Sequence, residues 1–176
     1  MLKIFTTQLV GVFNDVQKQN ETEIEDSARL LAQAVISDGK IAVHGLGSWQ
    51  SVAIEAVEGD NRLPKAQYLY DESGKIKDLD ATDAVIIAAN DINQQEAIFL
   101  AEELKSKGCT VIAIFEKDYE NYSDSVDIAV ITTENRPLVP LNDDKKIGRP
   151  SIMAALYGYF AIYLTTIDML DEQNLY

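Results

Sequence analysis

Two uninterrupted apolar runs restrict this chain more than any other feature: Ala84 to Ala89 (Ala-Val-Ile-Ile-Ala-Ala) and Thr110 to Phe115 (Thr-Val-Ile-Ala-Ile-Phe). A strand with one wet face alternates apolar and polar residues. A run with no polar position inside it has both faces covered, as in a parallel sheet flanked by helices. Between the two runs, Asn93 to Lys107 carries helical spacing and Gly108 closes it. Ile41 to His44 and Ile128 to Thr132 repeat the buried-strand pattern, and Gln67 to Tyr70 reads as a further short strand. Strands alternating with helices predict an α/β sandwich around a parallel sheet.

The ends of the chain are helical. Apolar spacing from Ile4 to Val16 suits an amphipathic helix, and a second helix spans Thr22 to Ser37. Thr22 followed three residues later by Glu25 has the form of a capping box, and Asp38-Gly39 ends that helix. The closing segment, Pro150 to Ile167, runs eighteen residues without a charge, the lower limit for a membrane span. Three tyrosines (Tyr157, Tyr159, Tyr163), two threonines, Ser151 and Gly158 make it a poor lipid-facing surface. A helix apolar on most sides is otherwise buried on most sides, so we expect it in the core or at an interface between copies of the chain. No repeat, low-complexity tract or linker divides the 176 residues, and one domain over 1–176 is expected.

The chemistry concentrates where the first strand ends. Ile41-Ala42-Val43-His44-Gly45-Leu46-Gly47-Ser48 runs a strand into a Gly-x-Gly-Ser turn, and a helical segment, Trp49 to Val57, follows at once. Gly45 and Gly47 let the backbone turn tightly and approach a ligand closely. The following helix aims its free N–H groups and positive dipole end at that turn, an arrangement suited to an anion. Ser48 adds a hydroxyl at the N-cap position. The same residues also fit a plain strand-to-helix turn capped by Ser48. A dinucleotide fingerprint fails because Gln50 stands where its third glycine belongs, and no P-loop or Gly-x-Ser-x-Gly elbow is present.

Charge narrows the partners. With a net charge of −14 the chain is a poor match for nucleic acid or an anionic membrane surface. Against that background four of the fifteen basic residues, Arg136, Lys145, Lys146 and Arg149, fall within fourteen positions. This is either a patch for a small anion or acidic partner, or a solvated loop in which the lysines offset Asp143 and Asp144. No positively charged start leads into an apolar run, and the lone Cys109 opens a strand-like segment, so a cytoplasmic protein with an inert buried thiol is expected.

Taken together, the two leading helices, the Gly-x-Gly-Ser turn, the strand and helix from Ala84 to Gly108, the following Gly-Cys-Thr-Val-Ile-Ala-Ile and the long closing helix resemble the sugar isomerase (SIS) domain. The phosphoheptose isomerase branch is the nearest likeness, and nearly the whole chain takes part. The resemblance implies a three-layer sandwich with a five-stranded parallel sheet, SIS/flavodoxin-like, carrying two N-terminal helices and a long apolar C-terminal helix. It also implies a sugar-phosphate ligand and a homodimer or homotetramer. On the matching positions, Ser48 falls on the family's first phosphosugar-binding serine. Glu58 falls on a glutamate used in proton transfer, with Ala56 and Arg62 completing that local stretch. Glu58 also suits a solvated carboxylate at a helix end.

Two departures bear on activity. The family's second phosphate loop is rich in Ser and Thr, whereas here it reads Ala89-Asn90-Asp91-Ile92-Asn93-Gln94. Its hydroxyls are gone, and Asp91 brings negative charge where phosphate would sit, which weakens anion binding at close range. Asn90, Asn93 and Gln94 keep hydrogen-bonding capacity. The family's histidines are missing as well. His44, the only histidine, ends the first strand beside the turn and is either an acid/base group in the strand-end crevice or a buried structural residue. No three-ligand zinc site can be assembled from these positions, and no cofactor is implied.

The expected crevice therefore lies around residues 45 to 48 and 90 to 94, with Arg149 (or Lys145) supplying charge to a phosphate. Glu58 and His44 are the candidate catalytic groups. Three readings stay open: aldose–ketose isomerisation of a sugar phosphate, a non-catalytic sensor of such a metabolite, and an oligomeric scaffold without a ligand.

Overall fold

The two apolar runs lie side by side in the middle of one sheet. The structure, a computed structural model, describes residues 1–118, 122, 124–132, 136–142 and 144–174. Among these, five parallel strands are ordered β2-β1-β3-β4-β5. They are β1 (Ile41–Gly45), β2 (Ala66–Tyr68), β3 (Ala84–Ala89), β4 (Thr110–Phe115) and β5 (Ile128–Ile131). Every residue of β3 is buried, as its unbroken apolar run requires. It pairs in register with β1 on one side (Ile41 to Ala84) and β4 on the other (Ala84 to Thr110).

Side-chain alternation divides the core into two layers. Ile41, Val43, Ile86, Ile112 and Ile114 point to one face, covered by α2 (Glu21–Ile36), α3 (Gln50–Glu58) and α5 (Ser151–Asp171). Ala42, Val85, Ile87, Val111 and Phe115 point to the other, where Ala97, Ile98, Ala101 and Leu104 of α4 (Gln94–Ser106) meet them. The fold is thus the expected α/β sandwich around a five-stranded parallel sheet.

Helix α1 (Leu2–Gln19) lies outside α5 and buries only Val16 fully; Phe13 stacks on Tyr157 with ring centroids 4.5 Å apart. α5 itself is long and apolar enough to cross a membrane. One stripe of it, Ala155, Tyr159, Ile162 and Tyr163, belongs to the sandwich core, while Ile152, Met153 and Leu164 face outward. The Tyr159 hydroxyl donates to the Asn61 carbonyl at 2.5 Å, which satisfies its buried polar end.

Several boundaries differ from the sequence reading. Asn20, not Thr22, is the residue before α2, and no side chain caps that helix end; Thr22 lies within its first turn. The Asn20 amide is engaged elsewhere. It donates to the carbonyls of Val16 (2.7 Å) and Ile131 (2.8 Å) and accepts from the Ile131 N–H (2.7 Å). β5 is an edge strand, so Ile131 would otherwise present unpaired backbone groups, and the Asn20 side chain completes them as a neighbouring strand would. The basic stretch before α5 is not a plain loop either: β6 (Val139–Asn142) and β7 (Lys145–Ile147) pair as a separate antiparallel ribbon. Asp143 lies outside the described residues.

Cys109 is buried just before β4, its thiol donates to the Asp80 carbonyl, and burial pushes its pKa up. Such a thiol is inert. Replacing Asn20 by alanine strands the Ile131 N–H and C=O beneath α1 and α2. Urea unfolding should show a loss of roughly 2–4 kcal/mol. A loss under about 0.5 kcal/mol, the range of an ordinary surface change, would show that the edge of β5 needs no such partner.

Candidate functional site

In a parallel sheet ordered 2-1-3-4-5 the chain turns in opposite directions after β1 and β3, and sheets of this kind bind ligands near that switch point, outside the strand C-termini. Both loops in question carry candidate residues. After β1 the chain makes a 3-10 turn, Gly47–Trp49, before α3; after β3 it makes a matching one, Asp91–Asn93, before α4.

Gly45 closes β1 so near to the turn that a Cβ there would stand 2.1 Å from the Trp49 carbonyl oxygen. Gly47 has φ +57 and lies against Asn93, whose Nδ2 is 2.8 Å from where a Cβ would stand. The two loops therefore meet at Gly47 and Asn93, where glycine adopts the positive φ without strain. Ser48 is exposed inside the turn, and Trp49, not Ser48, is the residue before α3; the Ser48 carbonyl accepts from the Ser51 hydroxyl at 3.3 Å. In the second loop Asn90 does cap: its Oδ1 accepts from the Asn93 N–H at 3.2 Å.

The negative charge of Asp91 is offset. Lys117, two residues beyond β4, donates to its carboxylate at 2.7 Å, with both side chains about one-third exposed. The Asp91 N–H donates to Oε2 of Glu116 at 2.9 Å. Glu116 is itself buried at the end of β4, and its Oε1 accepts from the Ser151 hydroxyl at 2.8 Å. The Ser151 oxygen in turn accepts from the indole N–H of Trp49 at 3.0 Å. One buried carboxylate thus links the turn after β1, the loop after β3, the end of β4 and the first residue of α5. Gln94 joins the same region, since its amide donates to the Lys117 carbonyl at 2.9 Å. Its own Oε1 is buried and has no hydrogen-bond partner among the described residues.

Around these groups lie two adjoining cavities of about 440 and 450 Å³. The first is lined by Asn90, Asp91, Lys117, Arg136 and Arg149 with Glu116 at its floor. The second shares Glu116, Lys117 and Arg136 and continues toward α1. Sequence reasoning singled out Asn90, Asp91 and Arg149 for this place. It named Arg136 only as part of a basic run, and it missed Glu116, Lys117 and Ser151. The available signal was position: Glu116 and Lys117 immediately follow an apolar strand, at the sheet edge where ligands bind.

The two candidate catalytic groups lie apart from these cavities. Glu58 is the last residue of α3, whose eight helical steps carry it about 12 Å from the turn. It is exposed, and the Tyr68 hydroxyl donates to it at 2.7 Å. Partial burial and then the Glu58 carboxylate push the Tyr68 phenol up to about 12. Arg62 lines a separate cavity of about 550 Å³ with Asp60 and Lys65.

His44 faces the α4 side of the sheet, its ring edge-to-face with Tyr70 at 4.8 Å between centroids. Burial lowers its pKa, and the Glu96 carboxylate opposes that shift more weakly. Among the described residues no three His, Cys, Asp or Glu side chains are grouped to hold a metal ion.

The sign of the His44 shift makes a prediction. A folded-state pKa below the ordinary 6.5 means that the unfolded chain takes up the proton first. Folding stability therefore falls as pH drops from about 6.5 through the folded-state value. Denaturant unfolding of His44→Gln should lose less stability between pH 7.5 and 5.5 than the unsubstituted chain does. Parallel pH profiles would show that His44 is not held neutral.

Comparison with known proteins agrees with this architecture. A Bacillus subtilis protein described as uncharacterized protein YwjG is 36% identical over 174 residues, covering 98% of this chain and 99% of its own. Among solved structures, phosphoheptose isomerase GmhA from Neisseria gonorrhoeae superposes with a TM-score of 0.68 at 16% identity, covering 97% of each chain. A Methanococcus jannaschii protein, whose structure was taken to infer 3-hexulose-6-phosphate isomerase function, superposes with a TM-score of 0.67 at 13% identity. That match covers 99% of this chain and 92% of the other. At such identities the likeness is one of fold. The model of the domain of unknown function DUF2529 matches residues 1–170, and this chain belongs to that family.

Proposed function

We propose that this chain binds a sugar phosphate at the C-terminal edge of its sheet, in the cavity lined by Asn90, Lys117, Arg136 and Arg149. One observation carries the reading: three cations converge on a single crevice in a chain of net charge −14. Such clustering raises the local concentration of an anion that the rest of the surface repels. Asn90, Asp91 and Ile92 of the loop after β3 line one wall of the cavity, and the Gly45–Ser48 turn meets that loop at Asn93. The Lys117–Asp91 pair removes the repulsion that Asp91 alone would impose on a phosphate. The fold shared with phosphosugar isomerases supports the same ligand class.

The reading stops at binding, in the manner of a metabolite sensor. Aldose–ketose isomerisation moves a proton between adjacent carbons and needs acid/base groups within hydrogen-bond reach of them. Glu58 lies at the far end of α3, and His44 packs under Tyr70 on the α4 face. A cytoplasmic setting fits a chain with one buried, unpaired thiol.

Calorimetry with fructose 6-phosphate and sedoheptulose 7-phosphate tests the assignment. At least one should bind, inorganic phosphate and unphosphorylated fructose should bind more weakly, and Arg149→Met should weaken the complex roughly 10- to 100-fold. Absence of binding by every sugar phosphate would refute the proposal. An unaltered affinity in Arg149→Met and Lys117→Met would move the site elsewhere.

We also infer that copies of the chain associate through the outer stripe of α5 and its neighbours. Ile152, Met153 and Leu164 of α5 and Ile4 and Val10 of α1 are exposed apolar side chains. A groove of about 540 Å³ runs beside them, lined by Tyr157, Phe160, Leu164 and Met169. Contiguous apolar surface of this kind is uncommon on a monomer. Light scattering at micromolar concentration should return the mass of a dimer or tetramer, and Leu164→Glu should lower it. A monomer would end this inference without touching the ligand site.

A further inference from the structure

The two adjoining cavities share Glu116, Lys117 and Arg136 but differ in sign beyond them. On the α5 side, Asp91 and Arg149 complete the lining, giving three cations against two carboxylates. On the α1 side, Asp15 and Asp118 complete it with Gln19, giving three carboxylates against two cations. A single crevice is therefore dipolar along its length, positive toward Arg149 and negative toward Asp15. Groups of one sign lining a cleft attract the opposite charge. Two such halves in sequence suit a ligand that carries both charges.

From this we infer that the ligand is a zwitterionic sugar phosphate: its phosphate sits between Arg149, Arg136 and Lys117, and a protonated amine sits between Asp15 and Asp118. The inference rests on the sugar-phosphate reading above and narrows it to amino sugars. Three features of the chain agree. Asp118 accepts a hydrogen bond from the Tyr122 hydroxyl at 2.9 Å, which orients its carboxylate at the mouth of the cavity. Asp15 projects from α1 beside Gln19, whose amide can bond a sugar hydroxyl. The overall charge of −14 also opposes a bare dianion more than a ligand whose amine offsets part of that charge.

Calorimetry at pH 6.5 with glucosamine 6-phosphate, N-acetylglucosamine 6-phosphate and glucose 6-phosphate tests this directly. The first carries the amine, the second masks it and the third lacks it. Glucosamine 6-phosphate should bind more tightly than the other two by on the order of fivefold, the worth of one ion pair near 4 Å in a watery site. Asp15→Asn and Asp118→Asn should each bring the ratio toward one; α1 exposes Asp15, so its replacement leaves the fold intact. Equal affinity for the three sugars would overturn the zwitterion while leaving the sugar-phosphate site in place. Binding by none of the three would overturn the zwitterion, and fructose 6-phosphate and sedoheptulose 7-phosphate would then decide the sugar-phosphate site separately. A preference that survives both substitutions would place the amine outside this cavity.

Discussion

Burial of β3 and β4 on both faces is the constraint on which the rest of this molecule depends. A strand with no polar position can exist in water only between two layers of helix, and that requires parallel neighbours joined by crossovers. Once the strand order is 2-1-3-4-5, the place where adjacent loops diverge is settled too, at the ends of β1 and β3. Function then depends on what the residues just past those strands carry. Here Gly47 and Ser48 follow β1, while Asn90 and Asp91 follow β3 without the hydroxyls of the sugar isomerase pattern.

Glu116 shows how the loops are held without those hydroxyls. A buried carboxylate is costly unless every oxygen is bonded, and here the Ser151 hydroxyl and the Asp91 N–H share the task. Because Ser151 also accepts from Trp49, the carboxylate ties the start of α5 to the turn after β1. The network supplies polar order across the ends of β1, β3 and β4. It also explains why Asp91 is tolerable at the crevice: its amide and its carboxylate are each bonded, to Glu116 and to Lys117.

Much of this was legible in the residues. The strands showed themselves as apolar runs, and Gly45 and Gly47 marked a turn whose geometry leaves no room for a Cβ at the first and demands a positive φ at the second. The crevice residues Asn90 and Asp91 followed from the end of the apolar run Ala84 to Ala89, and Arg149 from the basic stretch before the closing helix. What could not be read was long-range. Glu116 contacts Ser151 thirty-five positions away, and Trp49 reaches Ser151 across 102. Nothing local distinguishes these residues from others like them. Asn20 went unread for a related reason, because its amide serves β5 across 111 positions instead of the helix it precedes. Pairing in the β6–β7 ribbon was hidden by its charges and Pro140, which interrupt the alternation expected of a strand.

Glu58 and Ser48 carry the argument about chemistry furthest. Ten positions apart, they read as partners in a site, and a helix between them decides otherwise. Each residue of α3 advances about 1.5 Å, so Glu58 stands about 12 Å along the helix from the turn after β1. No rotamer of a glutamate spans that distance. Glu58 is instead bonded to Tyr68 on β2, where its carboxylate helps hold the phenol protonated. Spacing along a sequence thus becomes proximity only when the element between folds back. Here it runs straight, and that separates the Glu58 carboxylate from the crevice residues of the same chain.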